Sequence, residues 1–366
     1  MRRPLPFRHI EPFFCAGLFD DPLLLVHIKP LGRSCLFDCG QVHHLAKRMV
    51  KRTTSLFISH AHMDHFMGVD SFIRHNHVSP ATFDIFGPPG ITEKMAHKLA
   101  AYDWNLTEPS WCSLRVHDVF PERLATALFP GPDGFPCRQA GDAVRTDPVV
   151  YRNEWIEVAA ASCDHRIPSL IYRITERPRF VIDQTRMAEL GLVPGDWLRL
   201  LKKRILGGGA GGPLAAQRRR DEGVEEWTVT EPEILYDRIR LEESPAAVGY
   251  IGDIGAGSEN LAQVDSLLAG VTLLVCSCSF LAKDRDKARH SCHLCTSDLN
   301  LLVDRIRPRF LLPMHLSKSY QGRSALLYDE LELPPGVTLL RLPPHLTPRP
   351  LFTRDMVRLD RPEEGM

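Results

Sequence analysis

The fold of this chain is decided by a short stretch that reads Ser55-Leu56-Phe57-Ile58-Ser59-His60-Ala61-His62-Met63-Asp64-His65. An apolar run typical of a buried strand leads directly into three imidazoles and a carboxylate, which are metal ligands. In an extended segment His60 and His62 point to the same side, so both can reach one ion. Asp64 and His65 lie where the chain should turn into the next helix, beside a second position. The stretch therefore predicts a two-metal site.

Two alternatives to a two-metal site are a run of surface histidines and a single structural zinc site. A structural site would more commonly use cysteines and complete its tetrahedron locally, and this stretch contains no cysteine. The density of ligand-type residues favours the two-metal interpretation, which requires further ligands elsewhere in the chain.

The composition of the chain is that of a globular protein without a global charge. It has 366 residues, with 45 basic and 45 acidic side chains, so no overall field attracts it to nucleic acid or membrane. The longest apolar run, residues 271–282, is interrupted by two serines and falls short of the roughly 18 residues of a membrane span. Most of the ten cysteines lie in apolar strands, which indicates reduced thiols. We expect a cytoplasmic protein with no membrane partner.

Strand and helix patterns alternate along both halves of the chain, which predicts an α/β fold. The first half has a hairpin and further strands at 23–28, 34–38, 82–86, 114–119, 155–161 and 170–174, with helices at 42–51 and 91–102. The second half has strands at 248–253, 271–276, 310–315 and 337–342, with helices at 260–268 and 293–306.

Four more ligand-type residues lie at or just beyond the ends of predicted strands, namely Asp38, His165, Asp253 and His315. Taken separately, each is more often a hydrogen-bonded turn residue than a ligand. Their recurrence in order at strand ends in both halves is what a dinuclear site requires, because several segments must each supply a ligand.

The motif from His60 to His65 resembles the signature of the metallo-β-lactamase superfamily. Asp164-His165, Ile251-Gly252-Asp253 and Leu312-Pro313-Met314-His315-Leu316-Ser317 resemble its later ligand motifs. The resemblance implies a single αββα four-layer sandwich and two zinc ions per chain, with manganese or iron as alternatives. It implies one ion on His60, His62 and His165, another on Asp64, His65 and His315, and Asp253 between them.

Within the superfamily the chain is most similar to the ribonuclease Z group. Three segments carry this similarity: the loop 86–91, the stretch 189–195 with Lys202 and Lys203, and Arg289-His290-Ser291. The similarity implies a domain over 1–350 with a tRNA-gripping arm within 183–232, a tail at 351–366, and a homodimer. His290 would then lie beside the scissile phosphate. The chain departs from the group at 276–280, where an expected glutamate is missing.

The resemblance implies hydrolysis of a phosphodiester in RNA, as in tRNA processing by an endonuclease. Two zinc ions about 3.5 to 4 Å apart can bind a hydroxide between them. Asp64 would orient that water or accept its proton, and His290 would stabilise the transition state or protonate the leaving oxygen. The alternative for His290 is a residue that caps a helix.

The basic residues Lys202, Lys203 and Arg204, with 218–220, are candidates for contact with an RNA backbone, and a solvated loop is the alternative. The glycine-rich run at 207–213 and the charge block after it predict a mobile loop. The cysteines at 276, 278, 292 and 295 are candidates for a further metal site, or for buried thiols.

Two other functions remain open at this point. One is a hydrolase with the same site acting on a small substrate, such as a cyclic-nucleotide phosphodiesterase, a lactonase or a thioesterase. The other is a nucleic-acid-binding module without catalysis, which the full ligand set disfavours.

Overall fold

The computed structural model describes residues 5–177, 180–207, 212–220, 223–241 and 245–346. These form two compact units, one of Met1–Glu176 with Ala246–Met366 and one of Arg177–Pro245. The predicted tail at 351–366 lies outside the described residues. Among the helices that are described, none is long and apolar enough to cross a membrane.

The strands and helices of the described residues are numbered along the chain. The strands are β1 Ile10–Phe14, β2 Leu24–Ile28, β3 Arg33–Phe37, β4 Thr53–Phe57, β5 Thr82–Gly87, β6 Ser113–Val119, β7 Arg123–Pro130, β8 Arg138–Val144, β9 Val149–Arg152, β10 Ile156–Asp164, β11 Pro168–Glu176, β12 Leu192–Val193, β13 Leu214–Arg220, β14 Gly223–Val229, β15 Ala247–Ile251, β16 Leu273–Ser277, β17 Phe310–Met314 and β18 Thr338–Leu339. The helices are α1 Lys47–Arg52, α2 Met63–Phe66, α3 Val69–Asn76, α4 Ile91–Ala100, α5 Gln184–Glu189, α6 Trp197–Gly207, α7 Pro232–Ile239, α8 Ser258–Leu268, α9 Arg285–Ser291, α10 Thr296–Ile306 and α11 Ala325–Asp329.

Two large sheets build the first unit. An eight-stranded sheet runs in the order β1 to β8, and a seven-stranded sheet has the order β18-β17-β16-β15-β11-β10-β9. Strands β3, β4, β5 and β6 are parallel to one another, and so are β15, β16, β17 and β18. Parallel pairs need a crossover between strands, which explains why helices alternate with strands in these parts of the chain.

Apolar clusters on both faces of each sheet make the first unit a four-layer αββα sandwich. Helices α3 and α4 contribute to a core on the outer face of the first sheet, through residues such as Phe72 and Met95. Helices α8 and α10 contribute to a core on the outer face of the second sheet, through residues such as Val264 and Leu302. A third core lies between the sheets. The predicted fold class is confirmed.

An aromatic ladder between the sheets brings them together near the ends of β3 and β4. The parallel register aligns Phe37 with Phe57 and Phe57 with Phe86, and the successive rings stack at 4.8 and 4.9 Å. Tyr172 and Tyr250 of the second sheet pack against Phe37. The hydroxyl of Tyr172 donates a hydrogen bond to the carbonyl of Ile58 at 2.7 Å. The second sheet thereby fixes the strand end from which the metal motif emerges.

The second unit has its own small core. Strands β12, β13 and β14 form an antiparallel sheet, and buried side chains from this sheet and from α5, α6 and α7 pack together, including Trp197, Leu201 and Ala216. The unit is wider than the predicted arm at 183–232 and contains it.

Sequence-based expectations differ from the structure in three places. The helix expected at 42–51 begins only at Lys47. Arg218, Arg219 and Arg220 lie on β13 rather than in a loop, because β13 pairs with β14 along its whole length. The helix expected to begin at His293 begins at Thr296, and it is preceded by α9, which was not predicted. Of the glycine run, residues 208–211 lie outside the described residues.

Candidate metal centre

Most of the candidate ligands lie at one edge of the sandwich because they follow the ends of parallel strands. Asp38 follows β3, and His60 lies three residues beyond β4. In the other sheet Asp253 lies two residues beyond β15, and His315 directly follows β17. The carboxyl ends of parallel strands meet at the same edge, which is where ligands bind in open α/β sheets. His165 joins them from the hairpin between β10 and β11.

One group of imidazoles consists of His60, His62 and His165, whose candidate ligand atoms all lie within 4.8 Å of one another. His60 Nε2 lies 3.0 Å from His62 Nδ1. The Nδ1 of His165 lies 2.7 Å from the carbonyl oxygen of Cys292, a contact that requires a proton on Nδ1 and leaves Nε2 with a free lone pair. Burial and the charge of His65 lower the pKa of His60 to about 2, so its ring is neutral.

The second group consists of Asp64, His65 and His315, again with ligand atoms within 4.8 Å. The Asp64 Oδ2 atom lies 3.2 Å from His315 Nε2 and 3.9 Å from His65 Nε2. Burial would raise the pKa of Asp64, but the hydrogen bond from His315 and the charge of His65 outweigh it and lower that pKa below its usual value. Asp64 is therefore ionised, and 39% of its side chain remains exposed.

Asp253 contacts two members of the second group, and its ligand atom also lies within 4.8 Å of that of His60 in the first group. Its Oδ2 lies 3.3 Å from His65 Nε2 and its Oδ1 lies 3.2 Å from His315 Nδ1. Together with His60 and His65 it forms a further group whose ligand atoms are mutually within 4.8 Å. The Ser277 hydroxyl donates a hydrogen bond to Asp253 Oδ1 at 2.5 Å and so fixes one of the two carboxylate oxygens.

A buried carboxylate, Asp38, holds the ligand segment in place. It accepts hydrogen bonds from the backbone N–H of Ser59 at 2.6 Å and from the Ser59 hydroxyl at 2.8 Å. It also accepts from the Tyr250 hydroxyl at 2.8 Å and lies 2.7 Å from His65 Nδ1. The contact with Nδ1 orients Nε2 of His65 toward Asp253 and Asp64. Metal-binding histidines commonly have a carboxylate on the nitrogen that does not bind the metal, which fixes the orientation of the ring.

The electrostatics of this edge favour positive charge. Burial would lower the pKa of His65, but Asp38 and Asp253 outweigh it and hold that pKa well above its ordinary value. Burial would also lower the pKa of His315, but the charge of Asp253 and its hydrogen bond outweigh burial and raise that pKa to about 9. The same carboxylates would favour a metal cation, and the mixture of imidazole and carboxylate donors suits zinc. The residues present fit a two-metal site.

The structure does not bring His290 to this site. His290 is exposed on α9, whereas His293, which was not singled out from the sequence, lies in the site. His293 Nε2 lies 3.4 Å from Asp253 Oδ2, and its ring centroid lies 4.8 Å from that of His165. The left-handed backbone of Cys292 ends α9 and turns the chain, which explains why two histidines three residues apart have different surroundings.

The candidate cysteine site is not formed. Cys276, Cys278 and Cys295 are fully buried, and Cys292 is partly buried. None of the residue groups that could hold a metal within the described part of the chain contains a cysteine. Burial raises the pKa of the Cys276 and Cys278 thiols, which disfavours the thiolate that binds metal.

The candidate RNA-binding residues lie in the second unit. Lys202 and Lys203 are exposed on α6. The Arg204 guanidinium instead binds both carboxylate oxygens of Glu233, at 2.5 and 3.3 Å. Lys202 and Lys203 are therefore better candidates for a contact with RNA than Arg204.

An αββα sandwich with an H-x-H-x-D-H motif and partner ligands along one edge defines a protein of the metallo-β-lactamase fold. A long-form ribonuclease Z from yeast has a similar fold, with a TM-score of 0.50 and 12% identity over 85% of this chain and 38% of that one. No family model matches the chain.

Comparison with known sequences identifies the family. A ribonuclease Z from Deinococcus radiodurans is 30% identical over 290 residues, which cover 78% of this chain and 83% of that protein. The human protein named zinc phosphodiesterase ELAC protein 1 is 28% identical over 202 residues, which cover 48% of this chain and 53% of that protein. The chain belongs to the ribonuclease Z family.

Proposed function

We propose that this protein is a zinc-dependent endoribonuclease that hydrolyses a phosphodiester bond in RNA, with tRNA-like precursors as its substrates. The observation that carries the proposal is the pair of ligand groups that share the edge where Asp253 lies. The names of its relatives, ribonuclease Z and zinc phosphodiesterase, support both the metal and the substrate class.

In the proposed site His60, His62 and His165 would hold one zinc ion, and Asp64, His65 and His315 would hold a second, with Asp253 available to either. Zinc at such a site supplies Lewis acidity, which acidifies water and offsets the negative charge that develops on a phosphate during hydrolysis. Asp38 and Ser277 act on the ligands themselves, since they hold His65 and Asp253 in fixed orientations.

Asp64 is proposed to orient the attacking water and accept its proton. The carboxylate is ionised and partly exposed, so a water molecule can reach it while His315 holds its Oδ2. An ionised carboxylate accepts hydrogen bonds only, which directs a proton of the water toward it and the oxygen lone pair toward the phosphorus.

His293 is proposed to take the role that the sequence assigned to His290, which is to assist the leaving oxygen of the phosphodiester. Its Nδ1 lies 3.0 Å from the Ser291 hydroxyl, and its Nε2 faces Asp253 at 3.4 Å. With 22% of the side chain exposed, His293 is accessible at the edge of the site. A proton on Nε2 can pass to the leaving oxygen when a substrate phosphate occupies the centre.

The second unit is proposed to grip the RNA outside the active site. Lys202 and Lys203 place two exposed cations on one helix, as needed for contacts with a phosphate backbone. A homodimer and a cytoplasmic location remain predictions, for which size measurement and fractionation are the tests.

The test of the proposed activity uses three substrates side by side. Zinc-reconstituted protein is incubated with structured RNA that carries a 3′ trailer, with bis-p-nitrophenyl phosphate and with a lactone, and its zinc content is measured. We expect two zinc ions per chain and cleavage of the RNA near the trailer junction. Asp64→Ala should abolish hydrolysis of both phosphodiesters. Hydrolysis of the lactone alone would contradict the proposal and favour a small-molecule hydrolase.

The test of the arm compares two pairs of exposed cations. Lys202→Ala with Lys203→Ala should weaken RNA binding and flatten its dependence on salt, because two phosphate contacts are lost. Bis-p-nitrophenyl phosphate is too small to reach beyond the metal site, so its hydrolysis should scarcely change. The matched control is Lys47→Ala with Arg48→Ala on α1, which removes the same charge elsewhere. Equal effects of the two double variants on RNA affinity would refute a specific role for the arm.

A further inference from the structure

Among the described residues, non-glycine residues with a left-handed backbone conformation are concentrated at the metal centre. Such a conformation costs about 1 to 2 kcal/mol for a residue other than glycine, so each case needs a reason. The non-glycine residues with positive φ in the described ranges are Asp38, Phe135, Arg166, Cys292, Arg307 and His315. Four of these six, all except Phe135 and Arg307, belong to or directly adjoin the metal centre.

Five of these residues have a role within the molecule that accounts for the residue type. Asp38 holds His65 and the metal motif, His315 is a candidate ligand, and the carbonyl of Cys292 holds a further ligand. Phe135 is buried and packs on Trp104 at 4.7 Å between ring centroids. Arg307 turns its guanidinium back onto Asp304, with contacts of 2.5 and 2.6 Å.

Arg166 differs from the other five. Its φ is 60°, and it occupies the turn of the hairpin in which Asp164 pairs with Pro168. A three-residue hairpin turn commonly requires a left-handed residue, and glycine is the usual choice. The side chain of Arg166 is exposed, and within the described ranges no hydrogen bond or ion pair of its guanidinium is found. A long cationic side chain therefore occupies a turn position at which the backbone conformation favours glycine.

The turn that carries Arg166 lies beside the metal centre. Arg166 directly follows His165, one of the three imidazoles of the first ligand group. The two residues before Arg166 both contact Cys292. Cys292 Sγ lies 3.8 Å from the carbonyl oxygen of Asp164, and the Cys292 carbonyl oxygen lies 2.7 Å from His165 Nδ1, so the turn lies beside Cys292. Cys292 in turn precedes His293, so Arg166 lies on the side of the centre where His293 would meet the leaving group.

We infer that Arg166 forms a phosphate-binding subsite for the nucleotide adjacent to the scissile bond. A guanidinium presents a planar fork of donors that matches two phosphate oxygens, and it stays charged at every physiological pH. The subsite takes the phosphate of a polynucleotide backbone, whatever the base. This inference rests on the proposed phosphodiesterase function and adds to it the recognition of a second phosphate, which separates RNA from small phosphodiesters.

The test compares Arg166→Gly and Arg166→Lys with the control variant Arg307→Gly. All are measured as full-length protein, with zinc for hydrolysis and without zinc for RNA affinity by fluorescence anisotropy. For Arg166→Gly we expect an increase of about tenfold or more in both the RNA dissociation constant and the KM for RNA, as for loss of a charged hydrogen bond. The salt dependence of log affinity should become shallower by about 0.7 to 1. Arg166→Lys should restore part of the affinity, because it keeps the charge without the fork.

Two controls separate recognition from structure. The KM for bis-p-nitrophenyl phosphate should rise about tenfold less than the KM for RNA, because that substrate has only one phosphate. The unfolding temperature of Arg166→Gly should not fall, since glycine suits the left-handed turn. Arg307→Gly removes the same charge at the same backbone conformation, and it should leave the RNA affinity as in the parent.

Specific outcomes would overturn the inference. The inference is wrong if Arg166→Gly binds RNA with the same affinity and the same salt dependence as the parent. This holds even if the parent cleaves RNA normally. An equal loss on both substrates with a lower unfolding temperature would make Arg166 a structural residue. If the parent hydrolyses neither phosphodiester, the proposed function fails, and the zinc-free affinity measurement still decides whether Arg166 binds a phosphate.

Discussion

Replacement of Asp38 by asparagine tests how far a single buried carboxylate determines metal affinity. Asp38 is fully buried and does not itself belong to the candidate ligand groups of the described residues. Its Oδ2 receives the hydroxyls of Ser59 and Tyr250 and contacts His65, and its Oδ1 receives the Ser59 backbone N–H. Asparagine has nearly the same shape, so packing is preserved while the charge and one acceptor are lost.

The hydrogen bonds of Asp38 determine how much stability and zinc affinity Asp38→Asn should lose. If the amide oxygen takes the Oδ2 position, the amide NH2 faces the backbone N–H of Ser59, which is 2.6 Å from Oδ1 in the native protein. In the opposite orientation the NH2 would face the Ser59 hydroxyl, the Tyr250 hydroxyl and His65 Nδ1, which is three groups instead of one. The loss of a hydrogen bond to a charged group costs about 1.5 to 3 kcal/mol. Loss of the partner of a metal-binding histidine costs about 10- to 100-fold in metal affinity.

The assay measures zinc affinity by competition with a chromophoric chelator and stability by urea unfolding of the zinc-free protein. Asp38→Asn should weaken zinc binding by about 10- to 100-fold and lower the free energy of unfolding by about 2 kcal/mol. The control is Asp84→Asn on β5, whose carboxylate binds Arg115 and His117. That variant should lose stability but keep its zinc affinity. The reasoning is refuted if Asp38→Asn binds zinc as tightly as the parent.

Three further predictions concern the centre and the sheet beside it. His293→Ala should lower kcat on RNA by about 100-fold or more with zinc retained, whereas His290→Ala, which removes an exposed imidazole, should leave kcat as in the parent. Ser277→Ala frees Asp253 Oδ1 from its hydrogen bond and should weaken zinc binding by about tenfold, while Ser277→Thr, which keeps the hydroxyl, should restore it. Burial would raise the pKa of Asp84, but the hydrogen bonds from His117 and Arg115 outweigh it and lower that pKa below 3.8. The stabilisation is therefore present above pH 3.8 and is lost as the pH falls through the lowered pKa, so parent and Asp84→Asn should converge in acid urea titrations.

The alternation of strands and helices was sufficient to predict an α/β fold, and the resemblance of the ligand motifs implied its four layers. Ligand-type residues follow apolar runs in both halves of the chain, and the ends of parallel strands meet at one edge. The period of two in the extended segment put His60 and His62 on one side, and the structure brings their ring centroids to 4.5 Å. The segments after β15 and β17 bring Asp253 and His315 to the same place.

The second unit shows what local composition cannot reveal. Arginines and glycines near 207–222 indicated a loop, because no local apolar pattern was present. In the structure Leu214 and Ala216 of β13 are buried in the core of the unit, while the alternate residues Ala215 and Gln217 are exposed. Arg220 pairs with Glu225 of β14 at 2.8 Å, and Arg218 lies over the Trp227 ring. These are cross-strand contacts, which depend on a register that the sequence does not display.

The difference between His290 and His293 has a similar origin. Two histidines three residues apart would share one face of a continuous helix, so helix geometry gave no reason to prefer either. Only the resemblance of residues 289–291 to a family motif favoured His290. The break at Cys292 removes this equivalence, because its left-handed φ of 59° ends α9 and starts a new direction. His293 N–H then bonds back to the carbonyl of Ala288 at 2.9 Å, which fixes the turn. A non-glycine residue in that conformation could not be foreseen from composition.

The residues that hold the ligands in place were harder to predict than the ligands, because they come from distant parts of the sequence. Asp38 and Tyr250 are far apart in the sequence, and they meet only because the two sheets pack face to face over the aromatic ladder. Hydroxyls of the second sheet, on Tyr172 and Tyr250, reach the strand ends of the first and hold the backbone that carries the metal motif. Packing between the sheets is therefore part of the metal site. Tyr172→Phe removes the hydrogen bond to the carbonyl of Ile58 and should therefore loosen this backbone without changing any ligand.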